Sequence, residues 1–161
     1  MLPARAQPAI APDLLDYAAE ALAALIDGAR RQAIADGVRP VPPGVYRSLL
    51  GYFPAALLRK CHYAAGTASA LTLPGLAFSY GDATAITLGD VVLFRSAFIA
   101  ETDLKVWAHE LTHVMQYQRW GIEGFAERYV RDSGAVEQEA IDNASRFAAW
   151  LPRRGLAEAG P

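Results

Sequence analysis

The chain has 161 residues, of which 53% are hydrophobic and 20% charged, with a formal net charge of −2. That length holds one domain, with or without a helical extension, and the composition is globular rather than disordered. The charge balance excludes a generally cationic nucleic-acid binder, and the single cysteine, Cys61, excludes an internal disulfide framework. No stretch approaches the roughly 20 apolar residues of a membrane span, and no targeting segment is visible. The expectation is therefore a protein made in the cytoplasm, with no membrane span and no nucleic-acid partner. Any export would follow a signal-less injection route.

In chain order, the first expected element is a helix over 13–35. Asp13 would be its N-cap and Gly37 its left-handed terminator. Leu14, Ala18, Ala21, Leu22, Leu25 and Ala29 recur at three- and four-residue steps and predict its apolar face. Residues 1–37 thus read as a helical N-terminal segment. VRPVPPG carries three prolines in seven residues, so 38–45 reads as a linker. Short helices are expected over 46–50 and 55–59. Then 85–88 and 91–94 flank Gly89-Asp90 as a β-hairpin, with weaker strand candidates over 61–65 and 71–73. A helix capped by Glu101 or Thr102 should run to Trp120 and end at Gly121. A second should cover 122–130. A third should start near Ser133-Gly134 and stop before Pro152, leaving 152–161 as a flexible tail.

The chemistry concentrates in WAHELTHVMQ, residues 107–116. His109 and His113 stand at i and i+4, so on a helix both imidazoles face one side and can reach one metal ion. Glu110 is rotated from His109 by about 100°. It would miss the metal but reach a metal-bound water, the position of a general base. The stripe Leu104, Trp107, Ala108, Leu111, Met115 and the mixed face through Val106, Tyr117 and Trp120 predict a helix buried on two sides.

Two histidines leave a catalytic zinc one protein ligand short. The longer HExxHxxGxxH pattern is absent, because Gln116 and Arg119 occupy the glycine and last histidine positions. His62 precedes His109 by 47 residues and reads as a strand or surface residue. Among the downstream acids, Glu137 falls on the expected apolar face of the last helix with Val136, Ala140, Ile141, Ala144, Phe147 and Ala148. Glu139 falls on the solvated face with Asp142, Asn143 and Arg146. A carboxylate aimed into a core is costly unless paired or bound to metal, so Glu137 is the expected third ligand and Glu139 the alternative. Tyr117, Tyr129, Arg128 and Arg131 follow the motif as candidate oxyanion donors, with Tyr129 preferred.

HELTH followed by Glu137-Gln138-Glu139-Ala140 resembles the gluzincins, metallopeptidases that hold zinc with two His and one Glu. Integral-membrane members read E-x-x-A-D, whereas here Ile141 replaces the Asp and Asp142 comes one residue late. AITLGD, WAHELTHVMQYQRWGIEGFAERYV and EQEA are further similar, over roughly 52–147, to a metallopeptidase-like domain of bacterial proteins associated with extracellular contractile injection systems. The resemblance implies a small zincin-like fold with a hairpin beside the motif helix.

The expected protein is thus α+β, with a zincin-like, minimal gluzincin domain over 46–151. Zn²⁺ would sit on His109, His113 and Glu137, with Glu110 as base and Tyr129 as oxyanion donor in peptide-bond hydrolysis. The rival readings are a non-catalytic zinc-stabilised docking module and a toxin-associated domain of a secretion or injection system. In the second, the N-terminal helix would bind the partner.

Overall fold

The structure, a computed structural model, describes residues 11–66 and 84–158. The strand expected over 71–73 lies outside the described residues. α1 (Pro12–Asp36) starts on a proline in its first turn, where a missing N–H costs nothing. Its N-cap is Ala11, with no side-chain cap, so Asp13 is a first-turn acid rather than the cap expected for it. Gly37, at φ 110°, ends α1 and donates its N–H to the carbonyls of Ala33 and Ile34.

β1 (Arg39–Pro40), α2 (Pro43–Leu49), α3 (Ala55–Lys60) and β2 (His62–Ala65) follow. The proline-rich stretch therefore adds a strand to the sheet and buries Val41 and Val45. The hairpin β3 (Ala85–Leu88) and β4 (Val91–Phe94) turns at Gly89, φ 68°. Strand order is β1-β2-β4-β3, with β2 and β4 parallel and the other pairs antiparallel.

Both strands of the hairpin are buried along their whole length, which explains their continuous apolar character. Alternation divides their side chains between two cores. Ala85, Val92 and Phe94 face Trp107 and Leu111 of the motif helix. Ile86, Leu88, Val91 and Leu93 face Ala23, Ile26 and Ala33 of α1.

The inward face of α1 is therefore turned by about one residue from the expected stripe, of which only Leu22 and Ala29 pack inward. Leu14, Ala18, Ala21 and Leu25 point outward. An alanine-rich helix is apolar in several phases, so the sheet selects the phase. It takes the small residues that allow close approach. Arg30 then reaches Asp90 in the hairpin turn at 2.7 Å, and Arg131 reaches Asp16 at 2.6 Å.

α4 (Ala97–Thr102) is capped by the Ser96 hydroxyl, which accepts from the Ile99 N–H. The cap of the motif helix is Asp103, whose carboxylate accepts from the Val106 N–H. The expected caps, Glu101 and Thr102, end α4 instead. α5 (Leu104–Glu158) is broken by non-helical backbone at Gly121 (φ 70°, ψ 176°) and Asp132 (φ −156°, ψ 74°). These breaks divide it into three arms, α5a (104–120), α5b (122–131) and α5c (133–158), which start at the expected places. Asp132 caps α5c by accepting from the Ala135 N–H at 2.9 Å.

The expected stop before Pro152 does not occur, and the helix continues to Glu158. Arg154 holds these turns by donating to the carbonyls of Arg47 and Leu50 at 2.6 and 2.9 Å, the exposed C-terminal end of α2. Architecturally this is α+β: a four-stranded sheet covered by α5a on one face and by α1 and α5b on the other.

Gly121 is the hinge that turns the chain back toward α5a. Its φ/ψ pair lies where essentially only glycine is comfortable. A Cβ there would meet open space, so any cost of adding one is backbone strain alone. Gly121→Ala is expected to destabilise the fold by about 1–3 kcal/mol in urea unfolding. A neutral result would contradict the kink.

Candidate metal centre

α5a presents His109 and His113 one turn apart, and the double break brings Glu137 of α5c opposite them. The two Nε2 atoms are 3.1 Å apart. Glu137 Oε2 lies 3.2 Å from His109 Nε2 and 3.4 Å from His113 Nε2. Donors bound to one ion at about 2.0–2.1 Å in a tetrahedron stand about 3.3–3.4 Å apart. The three donors therefore form one face of such a tetrahedron, and His109, His113 and Glu137 are a group that can hold a metal ion. His62, on β2, binds its Nδ1 to the Lys60 carbonyl at 3.0 Å and is no part of the group.

The supporting bonds fix the ligands' chemical state. Gln116 is fully buried. Its amide nitrogen donates to the Val136 carbonyl and to Glu139 Oε2, both at 3.0 Å, so its oxygen must face His113. That oxygen lies 2.8 Å from His113 Nδ1 and can only accept, so Nδ1 carries the hydrogen. In the neutral ring Nε2 is left with its lone pair toward the centre, the tautomer a metal needs.

Glu139, expected on the solvated face, anchors this relay and is itself held by Arg119 at 2.7 Å. Tyr129, expected as an oxyanion donor, is brought to the site and donates its hydroxyl to Glu137 Oε1 at 3.0 Å. Arg128 lies over the Trp120 ring and Arg131 pairs with Asp16 and Glu127, so neither supplies an inward partner for Glu137.

Glu110 is only 5% exposed. Thr87, facing α5a by strand alternation, donates its hydroxyl to Glu110 Oε2 at 2.7 Å, and the Tyr117 hydroxyl donates to the Thr87 carbonyl at 3.3 Å. A further chain locks α5c against α5a: the Tyr52 hydroxyl donates to Asn143 Oδ1, and Asn143 Nδ2 donates to Thr112 Oγ1, both at 2.8 Å. Asn143 was expected outside and Ile141 inside, yet Asn143 bonds inward and Ile141 is exposed. The inward face of α5c runs through Val136, Ala140, Ala144 and Phe147, with Glu137 and Asn143 at its margins.

Sequence reasoning missed three supports. Gln116 is three residues from His113, and its helical phase marked it as inward. Thr87 is the lone hydroxyl in an otherwise apolar strand. Asn143 carried no such signal, because the phase chosen for α5c hid it.

Burial of His113 disfavours its charged form, but hydrogen bonding to Glu137 and the Glu110 and Glu137 charges outweigh it and raise the pKa. For Glu137, burial opposes ionisation, but hydrogen bonds from both histidines hold the carboxyl well below the usual carboxylate range. Without metal, a proton on the imidazoles supplies the positive charge.

A family profile described as the eCIS core domain matches residues 76–121. The match spans β3, β4, α4, α5a and the HELTH motif, and ties the chain to proteins of extracellular contractile injection systems. No curated protein and no solved structure matches the chain.

Two outcomes test the centre. The protein should carry about one ion per chain. His113→Ala and Glu137→Gln should lose it, measured by elemental analysis, whereas Gln116→Leu should weaken affinity by about 10–100-fold. Unchanged metal content in His113→Ala would refute the assignment.

The second outcome is pH dependence. Raised His113 stabilises the metal-free fold fully below about pH 6.5, and this is lost as pH rises through the raised value. Lowered Glu137 contributes above about pH 4.3, and this is lost as pH falls through the lowered value. A bound metal ion would displace the His113 proton, so the Tm gain on metal loading should grow as pH rises toward the raised His113 value and level off above it. A gain that does not vary with pH would contradict the proton-for-metal exchange.

Proposed function

We infer that the chain is a zinc-dependent peptide hydrolase of the gluzincin kind, built on a zincin-like fold and working within an injection system. The observation that carries this reading is the meeting of His109, His113 and Glu137 donors within 3.4 Å, with Glu110 next in sequence to the first of them. Two neutral imidazoles and one carboxylate are the donor set of a hydrolytic zinc site with one position left for water. A zinc ion there would acidify that water and polarise a peptide carbonyl.

The remaining roles belong to the chain itself. Glu110 takes a proton from the water and returns it to the departing amine. Thr87 holds Glu110 Oε2, which orients the carboxylate and leaves Oε1 for the water. Tyr129 steadies Glu137 through its Oε1 and so keeps Oε2 toward the imidazoles. Gln116 keeps His113 in the metal-binding tautomer. The injection-system match supports partners among that apparatus; export through it and a peptide or protein substrate belong to the proposed reading.

One observation favours the second reading, a non-catalytic zinc-stabilised docking module. Glu110 is buried and already hydrogen-bonded by Thr87, as a purely structural carboxylate would be.

Glu110→Gln separates the two. A peptidase variant should fold and keep its metal, while turnover on a peptide library falls at least about 10²-fold. If Glu110→Gln loses the metal, Glu110 is a ligand or a ligand's support, and the base assignment fails. Equal inertness of wild type and variant would favour the docking module.

A further inference from the structure

α1 carries a second surface, away from the metal centre. A groove of about 1160 Å³ runs between α1 and the start of α5b. Its walls hold five carboxylates, Asp16, Glu20 and Asp27 from α1 and Glu123 and Glu127 from α5b, and among the described residues no basic side chain lines it, while Arg119 and Arg128 lie over Trp120 at its rim. Arg131 partly neutralises Asp16 and Glu127, and Arg31 pairs with Asp27. Glu20 and Glu123 have no ion pair or side-chain hydrogen bond among the described residues. Small and apolar groups, Ala23, Trp120 and Ile122 among them, also line it.

Beside this groove, the outer side of α1 exposes Leu14 (60%), Tyr17 (72%) and Leu25 (37%), with Ala18 and Ala21 between them. The spacing of three and four residues makes one continuous apolar stripe. α1 is thus apolar on two sides. One side is spent on the sheet, and the other faces out with an acidic flank.

We propose that this face of α1 is a docking surface for a cationic amphipathic helix of a partner protein. Such a helix would lay its apolar side along Leu14, Tyr17 and Leu25, in the manner of helix-in-groove recognition. Its basic flank would meet Glu20 and Glu123. A second copy of this chain fits poorly, because pairing two such faces brings carboxylates against carboxylates. The charge imbalance selects a cationic partner and would steer its approach.

The test uses the full chain and two synthetic helical peptides of about 20 residues, one of Leu and Lys and one of Leu and Glu in the same amphipathic pattern. Fluorescence anisotropy should show the Leu/Lys peptide binding with a Kd on the order of micromolar, weakening as salt rises from about 50 to about 500 mM. The Leu/Glu peptide should not bind. Glu20→Lys with Glu123→Lys, and separately Leu25→Ser, should each weaken Leu/Lys binding by at least about tenfold. All three positions are exposed. Circular dichroism and metal content should therefore match wild type, which separates lost docking from lost folding and from failure of the metal reading. Equal binding of both peptides, or undiminished binding by the Glu20→Lys/Glu123→Lys variant, overturns the proposal. So does a dimer in sedimentation that Leu25→Asp dissociates, which assigns the face to a second copy. Equally tight binding of a peptide of residues 1–10 assigns it to the chain's own leading segment and overturns it too.

Discussion

One electrostatic constraint organises this molecule: a carboxylate turned inward against two imidazoles needs a positive charge between them. Glu137 Oε2 lies within 3.4 Å of both Nε2 atoms, which are themselves 3.1 Å apart. Three lone-pair donors crowded together repel unless a cation shares them. A proton on an imidazole serves in the metal-free chain, and a metal ion in its place would engage all three donors at once. The backbone that brings the donors together is arranged around this need. Gly121 and Asp132 break α5 so that α5c folds back on α5a, and the Asp132 cap restarts the helix in the phase that turns Glu137 inward.

The supporting bonds follow from the same constraint. A histidine binds metal through one nitrogen only if the other keeps its proton, and Gln116 decides which nitrogen that is. Gln116 can do so because the Val136 carbonyl and Glu139 fix its own orientation. Arg119 in turn fixes Glu139. A charged surface pair is thereby connected to the innermost imidazole through a buried amide. On the other side of α5a, the Thr87 hydroxyl binds Glu110 to an edge strand. Hairpin and motif helix therefore hold the candidate ligands and the adjacent carboxylate in one frame.

The segments flanking this frame have separate tasks. α1 closes the second core with alanines and Ile26, and its ion pairs to Asp90 and Arg131 clip it to the hairpin and to α5b. Its outer face is left apolar and acidic-flanked, a surface that the fold does not need for its own stability.

Much of this was legible along the chain. The HExxH spacing placed both histidines on one helical face, and the alternation of 85–88 and 91–94 about Gly89-Asp90 read directly as a hairpin. Glu137 stood out as an acid among inward apolar residues. These signals are local: a helical turn, a strand period or a glycine turn is set by residues a few positions apart. The phase of α1, the inward turn of Asn143 in place of Ile141, the relay role of Glu139 and the persistence of α5c past Pro152 were not legible. Each is decided by a partner remote in sequence. The sheet chooses among nearly equivalent apolar faces of an alanine-rich helix, Gln116 recruits Glu139 from 23 residues away, and Arg154 ties the last turns to carbonyls of α2 more than 100 residues earlier. The sequence by itself determined which residues could bind a metal. The tertiary structure alone decided that three of them meet and which proton state they hold, because that depends on contacts no local period encodes.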